Sequence, residues 1–208
     1  MSDVKSVSVI GAGGHAKVVI STLRAAGYTV KAVFDDDPGK LGTILSGVLV
    51  HGPIAEFPGD RRGVIAVGDN GNREIISNRF KIVEWVTVVH PQASVDPSVK
   101  LGPGTVVFAG SVIQADSVIG SHVIINTGAT VDHDCVIGDY SHVAPGAHVA
   151  GGNLVGKAVL LGIGSVVVPG RRIGDRAVIG AGGVVLKDLA AGVTAFGVPA
   201  TPGKTRTE

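Results

Sequence analysis

Residues 119–154 read IGSHVI INTGAT VDHDCV IGDYSH VAPGAH VAGGNL, six residues at a time. Each block opens on Val or Ile. Extending the step in both directions gives Val95, Leu101, Val107, Ile113, Ile119, Ile125, Val131, Ile137, Val143, Val149, Val155, Leu161, Val167, Ile173, Ile179 and Val185. All sixteen are branched aliphatics, in a chain that is only 45% hydrophobic. A fixed six-residue period is the signature of a parallel β-helix. Three short strands make one coil of a triangular prism, so residues 18 apart stack. With coils about 4.8 Å apart, the run predicts a column roughly 25 Å tall.

The other positions of the hexad support this reading. Gly recurs in the second slot (102, 120, 138, 156, 162, 174, 180) and in the fourth (104, 110, 128, 146, 152, 164, 170, 182). Both slots are expected near corners, where a positive φ or a close backbone approach is required. The fifth slot is mostly small, with Thr105, Ser111, Ala129, Cys135, Ser141 and Ala177 among its members, and suits a tight interior. The third slot faces outward.

Residues 1–88 read differently. Val7–Ile10 is a short apolar run leading into Gly11-Ala12-Gly13-Gly14-His15-Ala16-Lys17. A helical pattern follows as far as Gly27, and Val30–Phe34 is a second strand ending in Asp35-Asp36-Asp37-Pro38. This is a βαβ unit with a parallel sheet. Further strands are expected at 49–50 and 64–67, with a second helix over 72–80. The expected fold class is therefore an α/β, Rossmann-like domain over 1–88, followed over 89–208 by an all-β parallel β-helix and a C-terminal tail.

The glycine turn is a helix N-terminus after a strand, and its free N–H groups and dipole suit a phosphate. Gly11, Gly13 and Ala16 match G-x-G-x-x-A, with Asp35 at the end of the next strand. Three readings compete: a nucleotide diphosphate site, a nicotinamide site, or a tight turn with no ligand. Only one complete βαβ unit fits before residue 90, which argues against a dinucleotide. His15 is placed to donate to a phosphate, and Asp35 or Asp36 to accept from a base or ribose.

Composition narrows the partners. The net charge is +1 and no dense basic patch appears, so nucleic acid is not expected. The single cysteine, Cys135, excludes an internal disulfide and points to a reducing compartment. No apolar stretch approaches the ~18 residues needed to span a bilayer, and the N-terminus lacks a signal-peptide pattern. A cytoplasmic protein without membrane insertion is expected. The scattered His and Asp offer no metal-ligand set.

Within the repeat, the polar cluster is Asp132-His133-Asp134. A neutral imidazole with a carboxylate partner is the usual general base near neutral pH. Either Asp132 or Asp134 could orient it. Gly151 lies 18 residues on, one coil above, where an approachable N–H could stabilise an oxyanion. His142 could reach a neighbouring site, within the chain or across a subunit boundary. His122 and His148 are expected to be surface residues, and Cys135 to be core packing. Flat prism faces favour association, with a groove between columns for a long thin ligand.

The hexads resemble those of left-handed β-helix acyltransferases, and Gly197-Val198-Pro199-Ala200 is similar to the Gly-x-Pro-Ala ending found past their last coil. The Gly-Ala-Gly-Gly-His-Ala-Lys turn, His90-Pro91, the stretch from Val131 to Gly138, and Ser141-His142-Val143 together resemble the bacterial nucleotide-sugar N-acetyltransferases of the bacillosamine and perosamine pathways, with the related sialic-acid O-acetyltransferases. The resemblance implies a homotrimer with acetyl-CoA between neighbouring columns and no metal. It implies transfer of acetyl to the 4-amino group of a UDP- or GDP-linked 4-amino-4,6-dideoxy sugar, for bacterial glycan or O-antigen precursor synthesis. By position it makes His133 the base, Asp134 its acidic neighbour, Gly151 the oxyanion amide and His142 an acetyl contact. Ile163 and Ala181 match pantetheine contacts. Gly13, Gly14, His15, Asp35 and Asp36 fall on the nucleotide-sugar side. The alternative is O-acetylation of sialic acid or a related free sugar, which would need no nucleotide.

Overall fold

The computed structural model of the chain describes residues 5–58, 62–80 and 82–203. The first part is a four-stranded parallel sheet of β1 (Ser6–Ile10), β2 (Thr29–Phe34), β5 (Arg62–Ile65) and β6 (Glu84–Trp85), in the order β2-β1-β5-β6. Helix α1 (Gly14–Ala25) connects β1 to β2, and α2 (Asn70–Arg79) connects β5 to β6. A small antiparallel hairpin, β3 (Ile44–Leu45) with β4 (Val48–Leu49), lies between β2 and β5. The second helix starts two residues before its expected position because Asp69 caps it, its carboxylate accepting from the Asn72 N–H at 2.8 Å.

From Val88 onward the chain is a left-handed parallel β-helix. Two-residue strands pair in parallel at an offset of 18 residues, from Val88↔Val106 to Val166↔Val184, and form three sheets. Every expected position from Val107 to Val185 is buried in one continuous core, with Val95 and Leu101 packed against it. The column begins one hexad earlier than the quoted run, at Val89, which pairs with Val107. At the far end the coil shortens: Leu189 bridges Ile173 and Ala195 pairs with Ile179, both 16 residues apart.

The two glycine slots have different causes. A Cβ at second-slot Gly138 would lie 2.5 Å from the Gly156 carbonyl carbon of the next coil. Fourth-slot residues instead adopt left-handed backbone. Glycines such as Gly146 and Gly170 have φ of 64° and 69°, and Asp116, His122, Asp134, Tyr140, Ala158 and Arg176 take the same conformation. Inside the prism, fifth-slot hydroxyls stitch coils together. Ser141 Oγ donates to the Gly156 carbonyl at 2.8 Å and accepts from the Val159 N–H at 2.9 Å.

The α/β domain covers one face of the prism. Val88, Val106, Phe108 and Ile124 on that face share a core with Val7, Val9, Ile20 and Leu23. This corrects the expectation for His122. It is 4% exposed, with Trp85 edge-on at 5.1 Å and Tyr140 stacked at 5.4 Å. The hexad correctly turns its side chain out of the prism, but that corner is covered by the other domain. His148 is exposed, as expected.

Candidate active site

The three sheets define three corners, and the expected site residues divide among them. Residues 132–135 turn the chain between the strands Thr130–Val131 and Val136–Ile137. Here His133 Nδ1 lies 2.7 Å from Asp134 Oδ2, while its backbone N–H donates to Asp132 Oδ1 at 2.9 Å. Asp134 therefore holds the ring and Asp132 the main chain. The carboxylate partner requires Nδ1 to carry the proton, which leaves Nε2 as a bare acceptor. The Asp134 hydrogen bond, aided by the Asp132 charge, raises the imidazole above its ordinary pKa. Nε2 and Cε1 lie over Gly151, where a Cβ would sit 2.6 Å from each. The Gly151 N–H has no acceptor among the described residues. Cys135, next along, is buried and donates to the Ala150 carbonyl.

His142 stands elsewhere, on the sheet covered by the α/β domain. Its Nε2 accepts from Asn126 Nδ2 at 2.9 Å, and Thr127 N–H holds the Asn126 Oδ1 at 2.8 Å, which sets the amide's orientation. Burial, with the Arg73 charge, lowers the His142 pKa to about 3, so the ring is neutral. It opens into a cavity of about 560 Å³ bounded by Gly68, Asp69, Asn70, Ala144, Pro145, Leu160, Gly162, Ile163, Gly180 and Ala181. The walls are mostly apolar and of small residues, with Asp69, Asn70 and His142 as their polar side chains. That matches a slender, flexible ligand carrying one reactive group. Ile163, 62% exposed, lines this cavity with Ala181.

His133 and His142 do not meet in one chain. The corner bearing His133 lies between the two sheets that do not carry His142, so it is across the prism from the cavity. Contact between the two groups requires a second copy.

The glycine turn forms the third group. Helix α1 starts at Gly14 with no side-chain cap, and a Cβ at Gly13 or Gly14 would meet nothing within 4 Å. The turn is open and its first N–H groups are available to an anion. Asp35 is already engaged: it accepts from the Ala12 N–H at 2.6 Å, the Asp37 N–H at 2.9 Å and Lys40 Nζ at 3.2 Å. Burial opposes its charge, but these donors together hold its pKa below the ordinary value. Asp36 accepts from the Ile54 N–H and pairs with Arg79. His15 differs from expectation. Its ring faces the prism, 5.4 Å from Phe108 and 6.3 Å from His142, and Nε2 is buried without a partner. Burial, with the Arg73 charge, lowers its pKa to about 4. The side chain is thus a neutral ring at the domain seam.

Asn126 and Arg73 were not among the expected residues. Asn126 fills a second slot where Gly prevails, and that departure was the available signal. Arg73 shares a buried helical face with Ile76 and Ser77, which the sequence shows only as a polar helix. Among the described residues, no group of three or more His, Cys, Asp or Glu could hold a metal ion, and no helix is long and apolar enough to cross a membrane.

A β-helix of hexads with an α/β domain over one face, and a cavity at the seam, is a hexapeptide-repeat architecture. Residues 116–151 match the bacterial transferase hexapeptide (six repeats) family, and residues 6–80 the PglD N-terminal domain. The chain is similar to perosamine N-acetyltransferase from Caulobacter crescentus, solved with CoA and GDP-perosamine: 44% identity, TM-score 0.90, covering 95% of this chain and 96% of that one. It is also similar to the acetyltransferase domain of PglB from Neisseria gonorrhoeae, solved with acetyl coenzyme A: 35% identity, TM-score 0.88, covering 96% and 99%. UDP-N-acetylbacillosamine N-acetyltransferase from Bacillus subtilis is 38% identical over 116 residues, 51% of this chain. The chain spans about half (52%) of that curated relative and about a quarter (24%) of a mimivirus one. The chain belongs to the perosamine and bacillosamine N-acetyltransferase family.

Proposed function

We propose that the protein is an acetyl-CoA-dependent N-acetyltransferase that acetylates the 4-amino group of a UDP- or GDP-linked 4-amino-4,6-dideoxy sugar, as a cytoplasmic homotrimer. The observation that carries the reading is the division of the site. One prism corner holds a histidine with a bare Nε2 beside a free amide, and the opposite side holds a cavity with His142 in its wall. Each corner set against a neighbour's cavity would make a heterologous contact, and a ring of three copies would close such contacts.

Residues 1–88 would hold the nucleotide sugar, with the diphosphate at the Gly13-Gly14 turn. Asp36 and the backbone around His15 would lie on the nucleotide side, and Asp35 would shape the turn through Ala12. Residues 89–208 would hold the acetyl donor, with its pantetheine arm along Ile163 and Ala181. Acetyl-CoA supplies the thioester carbonyl. His133 Nε2 accepts the proton that the sugar amine loses as its nitrogen bonds to that carbonyl, and Asp134 stabilises the imidazolium. The Gly151 N–H donates to the developing oxyanion. The thiolate of CoA leaves and takes up a proton, so no acetyl-enzyme forms. Positioning both substrates across the subunit boundary supplies much of the rate advantage.

The test is incubation with acetyl-CoA and a panel of UDP- and GDP-linked 4-amino-4,6-dideoxy sugars, with thiol release followed. Turnover of at least one is expected. Release only with free sialic acid would instead establish O-acetylation.

A further inference from the structure

Arg73 is 1% exposed. A guanidinium at that depth usually answers a carboxylate, yet none of the described carboxylates lies within ion-pair distance of it. Its donors go instead to oxygens from three places. Nε donates to the His122 carbonyl at 2.8 Å, Nη1 to the Val67 and Gly68 carbonyls at 2.9 and 3.1 Å, and Nη2 to Asn70 Oδ1 at 2.8 Å and the Tyr140 carbonyl at 2.5 Å. Burial, opposed by the Asp69 charge, lowers its pKa to about 10, so it stays charged. An isolated cation buried among carbonyls is an expensive way to join two domains. An apolar contact would join them equally well.

The partners show what this arrangement achieves. Val67 to Asn70 is the loop leading into α2, and its last three residues wall the cavity opposite His142. Asn70, held by Arg73, reaches across to the Ala158 and Val159 carbonyls at 3.1 Å each. Nε2 of the neutral His142 ring is already an acceptor from Asn126, so the hydrogen is on Nδ1. The Gly68 backbone that Arg73 holds also faces this ring and acts on it as an acceptor.

We propose that Arg73 is a positioning residue for the transfer site: by pinning the 67–70 loop to the prism it sets the cavity wall and holds His142 in the Nδ1–H tautomer, with Nε2 unprotonated and accepting from Asn126. Of the charged and titratable groups facing His142, Arg73 from α2 and His15 from α1 disfavour protonation and support a neutral ring, and Asp69, at the cap of α2 across the cavity, is the one carboxylate. The functional part of this inference rests on the proposed transferase reading; the tautomer does not.

The test labels the full-length protein with 15N-histidine and compares it with Arg73→Met and Arg73→Lys. In the unmodified protein His142 should show Nδ1–H at neutral pH and no titration between about pH 8 and 5. In Arg73→Met its pKa should rise, with burial still holding it below the ordinary 6.5, and kcat should fall on the order of 100-fold, as for ångström-scale misplacement. Arg73→Lys, which keeps the charge, should restore the neutral ring and recover about tenfold of that loss. An Nε2–H or titrating His142 in the unmodified protein overturns the proposal, and so does an Arg73→Met protein with kcat within about threefold of normal. If Arg73→Met does not fold, the unmodified spectrum and Arg73→Lys decide. If no nucleotide sugar is turned over, the transferase reading fails while the spectrum still tests the tautomer.

Discussion

His133 shows how much one position can carry. Its slot turns it out of the prism, its neighbour Asp134 takes Nδ1 at 2.7 Å, and the ring lies over Gly151. A general base works only when neutral, so the acid limb of kcat/KM should follow its pKa. The Asp134 hydrogen bond raises that pKa, and the limb should therefore have its midpoint above 6.5. In Asp134→Asn the raising partner is lost. The midpoint should move to lower pH, and the plateau should fall because the ring is less well oriented. An unmoved limb would show that Asp134 does not act on the base. Counting in sixes and eighteens puts His133 outside the prism and Gly151 one coil above it, and the structure has the two in contact. The sequence left open which acid holds the ring, since that choice is made by the left-handed turn at Asp134, with φ of 58°.

At the level of the coil, glycine has two separable roles. Second-slot Gly138 is pressed against the next coil, whereas fourth-slot Gly170 has open space around it but a φ of 69°. Gly138→Ala forces backbone apart and should destabilise by about 1–3 kcal/mol or more, as overpacking does. Gly170→Ala should cost only about 1–2 kcal/mol, the penalty for a left-handed L-residue. Urea denaturation of the two variants checks the order, and the reverse order would refute the distinction. The pattern of glycines was legible in the sequence. The reason for each slot was not, because close approach and positive φ both select the same residue.

At the scale of the molecule, helix α2 locks the two parts together. Arg73 holds carbonyls of the prism corner, and Glu74 pairs with Lys157 and Arg176. The same seam holds three histidines, His122 buried and His15 and His142 half-buried. His15 and His122 have pKa values lowered to about 4 and His142 to about 3, in each case by burial first and Arg73 second. All three titrate near 6.5 when unfolded, so below that pH the unfolded chain binds more protons than the folded one. Their contribution to stability is complete above pH 6.5 and is lost as pH falls towards 4. His133, raised and exposed, works weakly in the opposite direction. Thermal unfolding should therefore shift to lower temperature between about pH 7 and pH 5. A midpoint that does not change over this range would show that the seam histidines are not held as neutral rings.

The amino-acid sequence by itself determined the β-helix, its register, the inward and outward positions along it, and the corner that carries His133. A strict short period repeats the same local geometry in every coil, so local information suffices. The α/β unit was also legible, from its strand–glycine–helix pattern. Only the tertiary structure decided that the domain lies on the face bearing His142, that His122 is buried and His15 half-buried at the seam, and that Asp35 holds the glycine turn. It also showed the buried Arg73 and the separation of His133 from the cavity. These features arise from packing between segments distant along the chain, and no repeat or local pattern encodes which prism face a second domain will cover.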